Sequence, residues 1–140
     1  MKNNQLMIYG AYGYAGELMV REAVAQGLRP IIAGRDDEKL KPIATELSLE
    51  CRAFGVRNTG SNLQDISVLL NCAGPFSATA EPLARACLAQ QIHYLDITGE
   101  IDIFRKCHAL DEEARQQNVL ILPGAGTDIV PTDCLAAMLK

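Results

Sequence analysis

Near the amino terminus, three glycines recur at intervals of three residues, at Gly10, Gly13 and Gly16. They follow a short apolar run and open a segment with helical periodicity, the setting in which a glycine-rich turn binds a dinucleotide. The first glycine permits the tight turn, the second lets a pyrophosphate approach the backbone, and the third lets the helix pack against the strand. The N–H groups of residues 14–17 are then expected to face the phosphates, together with the helix dipole.

The positions between these glycines carry Tyr12, Tyr14 and Ala15, which we include in the predicted cofactor-binding loop. The two rings could cover the phosphates or the nicotinamide, and packing on the surface is an equally open alternative. None of the four tyrosines of the chain is followed by lysine four positions later, which excludes the Tyr-x-x-x-Lys acid–base pair of short-chain dehydrogenases. A P-loop is also excluded, because no Gly-Lys-Ser/Thr follows the glycines.

The end of the second apolar run indicates which dinucleotide binds. An acidic residue there would bind the ribose hydroxyls of NAD, whereas an arginine suits the 2′-phosphate of NADP. This chain has Arg35 at that point, and Lys39 could add a second positive charge. Asp36 is interpreted as the cap of the next helix, with ribose binding as the alternative. NADP is therefore predicted in preference to NAD, and the alternative for Arg35 is a solvated surface residue.

Short apolar segments alternate with helical patterns along the whole chain. Strands are predicted at 6–9, 31–33, 51–54, 68–72, 93–97 and 119–122, and helices at 17–26, 36–47, 81–90, 101–117 and 132–139. Residues 55–65 are predicted to form a loop. Strands that are apolar on both faces and alternate with helices form a parallel sheet covered on both sides. The predicted fold is α/β: a doubly wound, six-stranded Rossmann sheet of strand order 3-2-1-4-5-6 with helices on both faces.

Composition narrows the class of protein. The chain has 140 residues, 49% of them hydrophobic, and a net charge of −4, which suits one globular domain and argues against binding nucleic acid. No apolar run is long enough for a transmembrane segment, and the apolar patch after residues 1–5 is too short for a signal peptide. The five cysteines are scattered and form no Cys-x-x-Cys pair, so we expect free thiols in the cytoplasm and no metal site.

Longer phrases follow the later strands: NCAGPF at 71–76, YLDITGE at 94–100 and PGAGTD at 123–128. Together with GAYGYAG and AGR they resemble the saccharopine dehydrogenase-like oxidoreductases, a family that includes saccharopine reductases and trans-acting enoyl reductases. The resemblance runs through essentially the whole chain. One departure is Gly55, which stands where the family often has an aspartate near the adenine.

The resemblance implies roles for these phrases. The first would run along the adenine-side ribose toward the nicotinamide, through Cys72, Ala73, Gly74 and Pro75. The segments 98–100, which includes Thr98 and Gly99, and 124–128 would form the floor where nicotinamide meets substrate. All of them follow strands, at the edge where doubly wound sheets bind ligands.

No catalytic acid or base is assigned from the sequence. The candidates are Asp96, Glu100, Asp128 and His93; His93 is expected to be structural, and Asp96 to point into the core and brace loops.

The resemblance also predicts the organisation and function of the chain. Residues 1–130 would form the NAD(P)-binding domain, and 131–140 would begin a helix leading to a separate substrate domain. The expected function is the cofactor-binding part of an NADP-dependent oxidoreductase acting on a small imine, carbonyl or enoyl substrate, as a possible homodimer. A non-catalytic NAD(P)-binding sensor or regulatory module is the alternative. A methyltransferase-like fold is disfavoured by Arg35 and the three glycines.

Overall fold

The computed structural model describes residues 5–126 and 128–139, and its centre is a parallel sheet. The six strands are β1 (Leu6–Tyr9), β2 (Ile31–Gly34), β3 (Cys51–Ala53), β4 (Val68–Asn71), β5 (His93–Asp96) and β6 (Ile121–Leu122). Their order is β3-β2-β1-β4-β5-β6, and every neighbouring pair is parallel. The predicted doubly wound sheet is therefore confirmed. Strands β2 and β3 lie on one side of β1, and β4, β5 and β6 lie on the other, so the strand order reverses between β1 and β4. Doubly wound sheets bind ligands at this point.

Helices connect the strands. They are α1 (Tyr14–Ala25), α2 (Asp37–Leu47), α3 (Phe76–Ala89), α4 (Ile101–His108), α5 (Asp111–Gln116) and α6 (Val130–Met138). The predicted loop 55–65 contains a short 3₁₀ turn at Gly60–Leu63. None of the described helices is long and apolar enough to cross a membrane.

Three helix predictions were wrong by three residues or more, and the first of these helices, α1, begins at Tyr14 rather than at Glu17. Helix α3 begins at Phe76 rather than Glu81, so Pro82 lies inside it instead of in its first turn. The single helix predicted over 101–117 is two helices, since Leu110 lies between them. Cys107, Leu110 and Ala114 are all buried on both sides of the break, at the spacing of three and four residues that an unbroken helix also shows.

Strand β6 is also shorter than predicted, with two residues in place of 119–122. The N–H of Leu120 donates to Nδ1 of His93, at 2.9 Å, so it is not available for the backbone ladder. His93 therefore has the structural role expected of it.

Apolar side chains on the two faces of the sheet build two cores. On one face, Ile8 and Ile32 pack with residues of α1 and α2 such as Val20 and Leu40. The other face packs against α3, α4 and α5. Successive residues of a strand point to opposite faces, so β1 contributes to both cores and is held from both sides.

Replacing a leucine in the second core tests this packing. Leu83, on α3, has no exposed surface, and Leu83→Ala should lower the free energy of unfolding by about 2–5 kcal/mol because it leaves a cavity. Leu18→Ala is the matched control, since Leu18 is helical and 52% exposed; its effect should stay within about 0.5 kcal/mol. Urea titration measures both, and equal losses would contradict the assignment of Leu83 to the core.

Candidate functional site

The glycine loop joins β1 to α1 through contacts that leave no room for a side chain at Gly10 or Gly16. Gly10 has φ +83°, and a Cβ there would come within 2.7 Å of the N atom of Ala73. A Cβ on Gly16 would come within 2.1 Å of the carbonyl oxygen of Gly10. A Cβ on Gly13 would lie 3.3 Å from the same oxygen. The tight turn at Gly10 and the close helix packing at Gly16 agree with the roles predicted from their spacing.

Several backbone N–H groups of this loop remain free to bind a ligand. Those of Gly10 and Ala11 donate to the carbonyl of Ala33, and that of Gly13 donates to Gly10. Within the part of the chain that the structure describes, the N–H groups of residues 14–16 make no backbone hydrogen bond. The N–H of Glu17 donates to Gly13 at 2.8 Å, so the expectation that residue 17 also offers a free donor was wrong. Three donors at a helix N-terminus suit a phosphate.

A cleft of about 480 Å³ opens beside this loop, along the carboxyl ends of β1, β2, β3 and β4. Eight of the predicted cofactor-binding residues line it: Gly10, Tyr12, Gly13, Arg35, Cys72, Ala73, Gly74 and Pro75. Six others are not among its lining residues: Tyr14, Ala15, Gly16, Lys39, Thr98 and Gly99. The segments thus brought together are the glycine loop, the end of β2 and the loop after β4.

Tyr12 and Tyr14 differ sharply in position. The ring of Tyr12 covers Gly34, where an added Cβ would come within 2.6 Å of a ring carbon. Tyr14, the first residue of α1, is 88% exposed. Tyr12 therefore packs against the end of β2 and lines the cleft, whereas Tyr14 does neither.

Arg35 is exposed and makes no hydrogen bond or ion pair with any residue that the structure describes. Asp36, beside it, is the N-cap of α2 as predicted, with its carboxylate accepting from the N–H of Lys39 at 3.3 Å. Lys39 Nζ lies 3.5 Å from the same carboxylate and 5.6 Å from the centre of the Tyr12 ring. The charge of Lys39 is thus already partnered, whereas that of Arg35 faces the cleft.

On the opposite side of the cleft, the loops rest on three buried polar side chains. Asn71, Tyr94 and Asp96 have no exposed surface. The Tyr94 hydroxyl donates to Asp96 at 2.8 Å and accepts from the Asn71 amide at 3.1 Å. Burial beside Asp96 raises the pKa of Tyr94. The hydroxyl therefore stays protonated and continues to donate.

This triad of Asn71, Tyr94 and Asp96 holds three loops. The other oxygen of Asp96 accepts from the N–H groups of Thr98, at 3.0 Å, and Gly124, at 2.9 Å. The Asn71 side-chain oxygen accepts from the N–H of Ala73 at 3.0 Å. Asp96 does brace loops, as expected. The loops after β4, β5 and β6 are thereby fixed relative to one another.

Thr98 and Glu100 add a further link between loops. The Thr98 hydroxyl accepts from the N–H of Glu100 at 3.1 Å. The Glu100 carboxylate accepts from the N–H of Phe76, the first residue of α3, at 3.2 Å. Among the other candidate floor residues, Asp128 is exposed and Thr127 lies outside the described residues.

Cys72 lines the cleft, and its side chain is largely buried. Burial, with a smaller contribution from Asp96, raises the pKa of this thiol to about 12. At neutral pH the thiol is therefore protonated and a poor nucleophile. All five cysteines are free.

Sequence analysis missed part of the cleft wall. Tyr9 and the segment 55–58 also line it, and this segment includes Arg57. Residues 55–58 were predicted only as loop. The pairing of β3 with β2 places that loop beside Arg35, and the predicted strand order implies the same neighbourhood.

A model of the family described as saccharopine dehydrogenase NADP binding domain matches residues 6–122 of the chain. The chain belongs to this family. Its cofactor is therefore NADP, in agreement with the prediction from Arg35. The structure fits this cofactor, because three N–H groups at the start of α1 have no backbone acceptor among the described residues, and the guanidinium of Arg35 lines the adjoining cleft.

Comparison with individual proteins supports the family. The chain is 27% identical over 152 residues to a saccharopine dehydrogenase-like oxidoreductase of Rattus norvegicus, a match that covers 92% of this chain and 35% of that protein. It is 27% identical over 145 residues to a Mycobacterium tuberculosis protein named as a trans-acting enoyl reductase, covering 91% of this chain and 33% of that one. The chain thus spans about a third of the length of these relatives.

Among solved structures, the chain resembles apo saccharopine dehydrogenase from Saccharomyces cerevisiae, with a TM-score of 0.75 and 12% sequence identity. The match covers 90% of this chain and 28% of that one. At this identity the likeness is one of fold.

The buried triad gives a test of how these loops are supported. Tyr94→Phe removes the hydroxyl that donates to Asp96 and accepts from Asn71, so buried polar atoms of both residues lose a hydrogen-bond partner. The free energy of unfolding should fall by about 1–3 kcal/mol. Tyr14→Phe removes the same hydroxyl from an exposed ring and should change stability by less than about 0.5 kcal/mol. Urea titration of both variants measures the difference, and an unchanged Tyr94→Phe would show that the triad is not needed.

Proposed function

We propose that this chain binds NADP as the cofactor-binding part of an oxidoreductase that transfers hydride between NADP and a small imine, carbonyl or enoyl substrate. One observation carries the proposal: Gly10 and Gly13 line the same cleft as Arg35, which has no partner among the described residues, and the free N–H groups of residues 14–16 follow directly after Gly13. Donors at a helix N-terminus suit a pyrophosphate, and a guanidinium suits a 2′-phosphate. Because the two sets of donors adjoin, they favour a ligand that carries both a pyrophosphate and a 2′-phosphate, as NADP does.

In this proposal each segment of the site has a binding role. Gly10, Gly13 and the N–H groups of residues 14–16 bind the pyrophosphate, and Arg35 binds the 2′-phosphate. The backbone of residues 72–75 runs toward the nicotinamide, and the loop at Thr98 and Gly99 lies further along. Because the triad holds the loops from below, the cofactor would meet a wall that is already ordered, which lowers the cost of binding.

Bound NADP supplies or accepts the hydride, and the residues of this chain bind and orient it. Within the described part of the chain, the cleft lining contains no histidine, lysine or carboxylate that could exchange a proton with a substrate. Cys72, Tyr9 and Tyr12 are the titratable neutral groups there, and burial raises the pKa values of Cys72 and Tyr9. We therefore propose that the proton donor and the substrate pocket come from a separate domain.

The carboxyl-terminal helix supports such a partner domain. Helix α6 buries none of its residues, and Leu135 and Met138 are 58% and 83% exposed. We propose that residues 1–130 are the cofactor domain and that 131–140 lead to the substrate domain, which would cover this apolar helix. A cytoplasmic location, consistent with five free cysteines, and a homodimer are further parts of the proposal; cell fractionation and light scattering test them.

A turnover assay separates this proposal from a non-catalytic sensor. The chain alone should bind NADPH without oxidising it, whereas a protein in which it is joined to a substrate domain should oxidise NADPH while reducing an imine, carbonyl or enoyl compound. Binding without turnover in that longer protein would favour the sensor.

The glycine cradle is tested at Gly13, whose backbone angles, φ −78° and ψ 160°, any residue can adopt. Gly13→Val should leave the fold intact and abolish NADPH binding, because the side chain would occupy the space of the pyrophosphate. Ala25→Val adds similar bulk at the exposed far end of α1 and should bind normally. Calorimetric titration measures affinity, and unchanged binding by Gly13→Val would contradict the phosphate loop.

The cofactor preference is tested at Arg35. Wild-type chain should bind NADPH more tightly than NADH, and Arg35→Ala should weaken NADPH binding about tenfold or more, since hydrogen bonds to a charged group contribute about 1.5–3 kcal/mol. NADH binding should change by less than about twofold, because NADH lacks the 2′-phosphate. Equal wild-type affinities for the two dinucleotides would overturn the role of Arg35.

A further inference from the structure

The cleft contains a second arginine that neither the glycine pattern nor the end of β2 indicated. Arg57 lines the same cleft as Arg35, is exposed, and makes no hydrogen bond or ion pair with any described residue. None of the residues lining the cleft is acidic. Two free cations therefore face one cleft in a chain whose net charge is −4, an arrangement that favours an anion there.

The turn that carries Arg57 is held in place from two directions. Residues 55–58 form a turn in which the N–H of Asn58 donates to the Gly55 carbonyl at 2.8 Å. Just before it, the N–H of Phe54 donates to the carbonyl of Gly34, the residue next to Arg35, at 2.9 Å. Arg35 follows directly after Gly34, and Arg57 comes three residues after Phe54, so a hydrogen bond joins the two backbone segments from which the arginines project.

The same turn is tied to the glycine loop through Tyr9, the last residue of β1. The Tyr9 hydroxyl donates to the Phe54 carbonyl at 2.9 Å, and the two rings pack with centroids 5.2 Å apart. Phe54 is buried, so the base of the turn belongs to the core. Arg57 therefore projects from a fixed base, although its own side chain is solvated.

The charge of the ligand explains why two cations are useful. A phosphate monoester carries about −1.5 to −2 charges at neutral pH, more than one guanidinium neutralises. The sequence assigned the second charge to Lys39, but this residue is paired with Asp36, lies over the Tyr12 ring and does not line the cleft. Arg57 is the other cation in the lining.

We propose that Arg57 is a specificity-determining residue that binds the 2′-phosphate of NADP together with Arg35. The inference rests on the proposed NADP-binding function and deepens it. A planar guanidinium suits a phosphate, and it could also stack on the adenine ring. Stacking would strengthen NADPH and NADH binding alike, whereas binding of the 2′-phosphate strengthens NADPH binding alone.

The test is calorimetric titration of NADPH and NADH into the wild-type chain and four variants: Arg57→Ala, Arg57→Lys, Arg35→Ala with Arg57→Ala, and Arg115→Ala. Arg57→Ala should weaken NADPH binding about tenfold and change NADH binding less than about twofold. Arg57→Lys should lie between wild type and Arg57→Ala, because the charge remains but the fork does not. The double variant should bind both dinucleotides with similar affinity. Circular dichroism checks that each variant is folded.

Arg115→Ala is the matched control for loss of one positive charge. Arg115 is exposed, pairs with Asp111 on α5 at 3.0 Å, and is not among the residues lining the cleft. Its affinities should equal those of the wild type. A loss of NADPH binding as large as that of Arg57→Ala would attribute the effect to net charge and overturn the proposal.

Two further outcomes would overturn it. Equal weakening of NADPH and NADH by Arg57→Ala would mean that the guanidinium stacks on the adenine or contacts another shared group. Unchanged NADPH binding would mean that Arg57 is only a solvated residue. Both leave the proposed function standing, whereas a wild-type chain that binds neither dinucleotide would contradict that function and this inference with it.

Discussion

The close packing of α1 on the end of β1 is the constraint on which the cleft depends. At Gly16 the helix backbone lies so near the Gly10 carbonyl that an added Cβ would be 2.1 Å from that oxygen. Gly10 in turn lies against Ala73, in the loop after β4. These contacts bring a helix N-terminus to the centre of the sheet edge, where the N–H groups of residues 14–16 have no backbone acceptor among the described residues. The proposed phosphate site would thus be a consequence of backbone packing that only glycine permits.

The two walls of the cleft are built by different physics. The wall after β4 and β5 rests on Asn71, Tyr94 and Asp96, whose polar atoms are buried and must therefore be satisfied. The wall after β2 and β3 carries Arg35 and Arg57, whose charged side chains are exposed to solvent. The buried polar side chains hold the loops in place without a ligand, and in the proposed function the two exposed arginines are available to an anionic ligand. This division matches a cofactor with a phosphorylated end and a reactive end.

Much of the fold could be predicted because it depends on local patterns. Strand order, the number of strands in the sheet and the cap at Asp36 follow from hydrophobic periodicity, connection length and residue type. The bounds of α3 could not be predicted, because Pro82 resembles a helix-start residue while the helix extends upstream of it. The break near Leu110 was missed because the buried residues Cys107, Leu110 and Ala114 keep the periodicity of a single helix across it.

By itself, the sequence predicted the tight glycine turn and the cofactor, because glycine spacing and Arg35 lie within one strand–helix–strand unit and act over short separations. The tertiary structure decided which cations are free and which loops are braced. Lys39 forms an ion pair with Asp36 and lies over the ring of Tyr12, whereas Arg57 lines the cleft because β3 pairs with β2. The hydrogen bond from Asn71 to Tyr94 and that from Gly124 to Asp96 join residues far apart in sequence. Such contacts form only when the parallel strands are assembled, so no local pattern reveals them.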